Sequence, residues 1–147
     1  MGLIFLIIGS ILGVSAMVFF NARLGISPQA RLSGLDEAIA RLDADRVGFE
    51  AGEAVLAADG EGALVASRSG DCLGLLVARG SDFVIRYLTP GSVREVRLDD
   101  AGEAGGAGFR FRLNDFVFAP AHLRFDDAET AARWADRLSG LTQGGQA

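Results

Sequence analysis

The stretch from Leu3 to Phe20, LIFLIIGSILGVSAMVFF, contains no charged side chain, and only Gly9, Ser10, Gly13 and Ser15 relieve its apolar run. A helix rises about 1.5 Å per residue, so this stretch spans roughly 27 Å, close to the hydrocarbon thickness of a bilayer. A backbone inside a membrane must satisfy its own hydrogen bonds, which a helix does. The sequence therefore predicts a membrane anchor over residues 3–20, within a first segment of residues 1–22. A buried helix of a soluble domain would normally carry polar interruptions. A cleaved signal peptide is the rival reading. Val14-Ser15-Ala16 imitates a cleavage site, but Met17-Val18-Phe19-Phe20 continues the run past it, and no lysine or arginine precedes the run.

Gly9 and Gly13 are four residues apart, so they share one helix face where a second helix can approach closely. A weak homodimer through Gly9 and Gly13 is one expectation, though glycine is frequent in such spans for other reasons. Orientation is read from the flanks. Arg23 and Arg31 follow the span, no acid appears before Asp36, and almost nothing precedes the span. Basic residues favour the cytoplasmic side, so the C-terminal domain is expected in the cytoplasm.

All 14 basic residues are arginine and none is lysine; with abundant alanine and glycine, this is the signature of a GC-rich bacterial genome. The expected location is thus the bacterial inner membrane. The formal net charge is −5, which repels phosphate backbones and argues against nucleic-acid binding. The single cysteine, Cys72, excludes an internal disulfide framework and a cysteine-based metal cluster.

Beyond the anchor, residues 23–48 are expected to form a juxtamembrane linker and stalk helix. Ser27 before Pro28 and Ser33 before Asp36 are possible helix starts. Leu32, Leu35, Ile39 and Leu42 make one apolar stripe, with Glu37 and Arg41 one turn apart on the polar side. The stripe suits docking on the domain, or a short coiled-coil seam.

Residues 49–142 are expected to form an α+β domain: an antiparallel sheet or partly open barrel closed by a C-terminal amphipathic helix. Residues 54–58 suit either a helical turn or a strand. Strands are expected over Ala63–Ser67, Cys72–Arg79, Phe83–Leu88, Val93–Leu98 and Phe109–Leu113. The second of these runs, CLGLLVAR, is apolar on both faces and so should be covered on both sides or lie centrally. Asp99 to Gly108 reads as a solvated acidic loop; it fits neither a phosphate-binding glycine motif nor a calcium loop. Asn114-Asp115 suits a two-residue hairpin, which would set Leu113 opposite Phe116 and Phe111 opposite Phe118. Pro120 should break the ladder or sit at an edge, after which Leu123 and Phe125 face in and His122 and Arg124 face out. Asp126 with Glu129 resembles a capping box for a helix to about Ser139, buried through Ala131, Trp134, Ala135 and Leu138 and stopped at Gly140. Residues 143–147 read as a disordered tail.

Several antiparallel strands closed by one tryptophan-bearing helix resemble the pleckstrin-homology-like superfold, including its small bacterial members. The resemblance runs from about Ala63 to Leu141 and rests on element order. It implies a bent sheet forming a partly open barrel with the helix plugging one end. Lipid-binding members of that superfold use lysines and arginines in an early strand–strand loop. Here that loop, residues 68–71, has Arg68 beside Asp71, so headgroup recognition is not implied. A two-layer α+β sandwich is the alternative fold.

His122 has Arg124 as its neighbour on the same expected face and reads as a surface histidine rather than a catalytic or metal-binding one. Cys72 reads as a buried, inert thiol. Alternation sets Arg110, Arg112 and Arg124 on outward faces; with Arg86 they form a possible interaction face for anionic lipid or an acidic partner, or an ordinary solvated face. The expectation is a non-enzymatic binding or scaffolding module, without cofactor, held at the membrane and serving an unknown protein partner. The alternatives are an accessory subunit acting through its span, or an enzyme on a membrane-associated substrate.

Overall fold

A computed structural model of the chain describes residues 1–25, 28–99 and 107–142. The expectations for Ser27, for most of the acidic loop (residues 100–106) and for the tail (residues 143–147) lie outside the described residues. The first element, α1 (Gly2–Leu24), is one helix of 23 residues with none of them buried, ending at Gly25 in the left-handed region. It is long and apolar enough to cross a membrane.

The rest is α+β. Helix α2 (Leu35–Asp45) precedes seven strands: β1 (Ala51–Leu56), β2 (Gly62–Ser67), β3 (Leu73–Arg79), β4 (Asp82–Leu88), β5 (Val93–Leu98), β6 (Ala107–Leu113) and β7 (Ala121–Phe125). Helix α3 (Ala128–Gly140) follows. The strands form two antiparallel sheets, β1-β2-β3-β4 and β5-β6-β7. The ambiguous stretch after Glu50 is a strand, because pairing of Val55 with Leu64 and Leu56 with Ala63 satisfies its backbone.

The first sheet is covered on both faces, as the apolar run in β3 requires. Leu64, Leu73, Leu75 and Val77 point into a core shared with Phe109, Phe111, Leu123 and Phe125 of the second sheet and with α3. Ala63, Val65 and Leu76 point the other way, into a smaller core closed by Leu32, Ala38, Leu42 and Phe49. Helix α2 thus lies on the sheet, with Ala38 and Leu42 fully buried while Leu35 and Ile39 are only half-buried. Gly74 makes the seat: a Cβ there would lie 2.9 Å from Leu42 Cδ1. Before α2 the backbone is already fixed to the domain, since the Ala30 amide donates to the Gly80 carbonyl and the Leu32 amide to the Gly60 carbonyl, both at 2.7 Å. Glu37 reaches back to accept from the Ser33 amide and hydroxyl, and these bonds with Arg41 pull its carboxyl down to about 2.

Two local expectations are corrected. The α3 cap is Asp127, not Asp126: its carboxylate accepts from the Thr130 amide at 2.7 Å. The helix also runs through Gly140, and Leu141 ends it in an ordinary right-handed conformation. The larger correction is the β6–β7 connection. Asn114-Asp115 is not a two-residue turn, and Phe116 does not pair with Leu113. Residues 114–120 form a loop, and β7 pairs with β6 through Phe109–Leu123 and Phe111–Ala121. Phe118 still meets Phe111, as a stacked ring 6.5 Å away rather than as a ladder neighbour.

Helix α3 packs Trp134, fully buried, with Ala131, Ala135 and Leu138 into the main core. Its indole N–H has no acceptor among the described residues. The side chain therefore acts through its volume. Trp134→Ala should cost about 3–5 kcal/mol, as large core truncations do. Trp134→Phe should cost well under the alanine value, because no hydrogen bond is lost. Unfolding curves of the two variants check the order; equal losses would assign the indole N–H a partner.

Candidate interaction face

The outer face of the second sheet follows from strand alternation. With Phe109, Phe111 and Leu123 turned inward, Arg110 and Arg112 of β6 and His122 and Arg124 of β7 face out. Register adds Glu95 opposite Arg112 and Arg97 opposite Arg110 on β5. Arg110, Arg112 and Arg124 therefore share one surface, and Arg86 does not join them. Arg86 sits on β4 of the first sheet, where its Nε donates to Asp115 Oδ2 at 3.1 Å and its guanidinium lies 5.8 Å from the Phe118 ring centre.

The face is partly self-neutralised. Arg97 pairs with Glu95, Arg110 lies 3.5 Å from Asp99, and His122 Nε2 pairs with the other oxygen of Asp99. Arg112 and Arg124 meet no acidic partner among the described residues. Exposed pairs of this kind add little stability, and salt screens them.

The Asp99–His122 pair escaped the sequence because the two residues are 23 apart and meet only across β6. Gly108 is the clue. The Asp99 amide donates to the Gly108 carbonyl, and a Cβ on Gly108 would lie 2.6 Å from the Leu123 carbonyl oxygen and 3.1 Å from His122 Nε2. Only glycine lets the pair cross the strand there. His122 thus meets one carboxylate on a solvent-facing sheet, not two in a pocket. Among the described residues no group of three histidine, cysteine or acidic side chains is placed to hold a metal ion.

Cys72 is half-buried rather than buried, with Arg46 Nη1 3.9 Å from its sulfur. Beside it, the Ser69 and Ser67 hydroxyls donate to Asp71 and pull that carboxyl down to about 2. These bonds close the turn between β2 and β3.

The loop of residues 114–120 carries two of the three most exposed large apolar side chains among the described residues after α1, the third being Val47. Phe116 and Val117 are 106% and 86% exposed. Their neighbours are tightly held. Asn114 Nδ2 donates to the Gly91 carbonyl at 2.7 Å, Asp115 accepts from the Val117 amide and from Arg86, and Arg79 Nη2 donates to the Ala119 carbonyl at 2.9 Å. Phe118 is buried, with Arg79 and Arg86 stacked over its ring. A pocket of about 310 Å³ lies behind the tip, lined by Arg94, Arg112, Asn114, Phe116 and Pro120 among others.

The chain matches no protein-family model, no curated protein and no solved structure.

Two consequences can be measured. Gly108→Ala should destabilise the domain by about 1–3 kcal/mol, as overpacking does. It should also separate Asp99 from His122, which an NMR spectrum would show as a displaced His122 imidazole resonance at constant pH. Asp115 is held below the ordinary carboxylate value by the Val117 amide first and the Arg86 guanidinium second. A depressed carboxyl contributes stability above its unfolded value, near 3.8, and loses it as pH falls through the folded value. The Val117 amide resonance should therefore shift only below the ordinary carboxylate range, and Arg86→Gln should move that midpoint upward. A midpoint unchanged by Arg86→Gln would show that the ion pair does not grip the loop.

Proposed function

We propose that this protein is a single-pass membrane-anchored binding or scaffolding module of the bacterial inner membrane, with its C-terminal domain in the cytoplasm. One observation carries the reading. Helix α1 carries no charged side chain from Leu3 to Phe20, has no buried residue, and leads within a few residues into a chain already bonded to the domain at Ala30. A leader destined for removal needs no such close coupling. Arg23 in the last turn of α1, with Arg31 beyond it, supports the cytoplasmic orientation.

The domain's architecture supports a pleckstrin-homology-like reading. Antiparallel strands followed by one helix that buries a tryptophan in the main core keep the element order on which that resemblance rests. A backbone bond from the Ala58 amide to the Arg124 carbonyl, at 2.8 Å, links the β1 and β7 sides. Arg110, Arg112 and Arg124 offer an acidic partner a surface whose cations are only partly neutralised. Recruitment of such a partner to the membrane is the activity this arrangement favours.

The second reading is an accessory subunit acting through its span. Gly9 and Gly13 favour it, since their spacing of four sets both on one face of α1, where a neighbouring helix can approach. Replacing residues 3–20 with an unrelated spanning sequence should preserve function under the first reading and abolish it under the second.

Topology is tested by fusing reporters after Ala147. A reporter active only in the cytoplasm should be active, and one active only in the periplasm silent. The fused protein should stay in membranes washed with alkaline carbonate. A periplasmic signal would overturn the orientation, and a mature chain starting near Met17 would overturn the anchor.

A further inference from the structure

We propose that the tip of the β6–β7 loop, Phe116 and Val117, is a second membrane contact that seats the domain on an anionic lipid surface. The inference rests on the anchor reading above. Phe116 and Val117 are 106% and 86% exposed, yet the loop bearing them is fixed on both sides. Rigid display of a phenylalanine and a valine in water is unfavourable unless something apolar receives them.

The path of the chain argues that the receiver is the bilayer. The segment arriving from α1 is held by the Ala78 carbonyl, which accepts from Gln29, and by the Gly80 carbonyl, which accepts from Ala30. Arg79, between those two residues, donates to Ala119 in the loop stem. The tether and the loop are thus fastened to the same stretch, the end of β3 and the first residue after it. Six residue steps separate Leu24 from Ala30, a reach of at most about 20 Å for a fully extended chain. Three steps separate Ala119 from Phe116, at most about 11 Å. The tip is therefore within reach of the membrane into which α1 inserts.

The charges around the tip match a lipid surface. Arg94 and Arg112 line the pocket beside Phe116, where they can meet anionic headgroups. The one acid within the loop, Asp115, is engaged by Arg86 and the Val117 amide. An aromatic ring with flanking arginines is the composition of interfacial membrane contacts. The net charge of −5 makes free association weak, but a tether this short sets an effective concentration on the order of millimolar, so a weak contact suffices.

The test uses the full chain carrying Phe116→Trp, reconstituted into phosphatidylglycerol vesicles with or without bromine on the acyl chains. The substituted side chain is fully exposed, so the fold should persist; Trp134, buried in the core, supplies an unquenched background. The new indole should emit at shorter wavelength in vesicles than in detergent-free water-exposed peptide, and brominated lipid should remove most of its emission. Arg94→Gln with Arg112→Gln should reduce that quenching in anionic vesicles and not in zwitterionic ones. Protein retained after carbonate washing but showing a water-like, unquenched indole would overturn this contact and leave the anchor standing. Release by carbonate would overturn both. An indole unquenched by lipid yet shielded in native membranes would overturn the contact in favour of a protein partner.

Discussion

The first sheet has to be covered twice. Leu75 and Leu76 are adjacent in β3 and both fully buried, so they lie on opposite faces of one strand and each face needs its own layer. One layer is the second sheet with α3, and the other is α2 with Leu32 and Phe49. An isolated helix of 11 residues is marginal in water, so α2 owes its stability to this docking. The docking has a consequence for the whole chain. Because Leu32 and Leu42 belong to the core, the segment between α1 and the sheet is not a free spacer, and the domain begins close to the apolar helix.

That double requirement was visible in the sequence because alternation is local: Leu73, Leu75 and Val77 against Leu76 is a pattern within one strand. The outward positions of Arg110, Arg112 and Arg124 were legible for the same reason. What pattern could not reach were meetings set by tertiary geometry. Arg86 has the same composition as the other three arginines but sits on the other sheet, and its partner Asp115 is 29 residues away. Asp99 finds His122 across β6 only because Gly108 leaves room. The stalk stripe was read from its leucines, yet fully buried Ala38 does more of the packing than half-buried Leu35 or Ile39, since close approach to the sheet favours a small side chain.

The hairpin error is instructive because its premise was sound. Phe116 and Phe118 both continue the inward alternation of Phe109 and Phe111, so a two-residue turn would align the apolar faces. The structure gives the core position to Phe118, stacked on Phe111 and roofed by Arg79 and Arg86. Pairing starts again only after Pro120, which has no amide to donate to a ladder. With Phe118 in the core, the bonds at Asn114, Asp115 and Ala119 hold Phe116 outward.

Net charge and local charge then separate. The chain is acidic overall, but three of its described acids near the second sheet are engaged: Glu95 by Arg97, Asp99 by Arg110 and His122, Asp115 by Arg86. Among the described residues this leaves Arg112 and Arg124 on the outer face with no acidic partner, and Arg94 and Arg112 beside the exposed tip. Screening at physiological ionic strength restricts electrostatics to about 8 Å, so a surface senses these nearby cations more than the distant acids. A domain that would ignore an anionic surface when free in solution can therefore engage one when its tether holds the right side toward it. Affinity that would be negligible for a diffusing protein becomes occupancy, because the short link removes most of the translational cost of association.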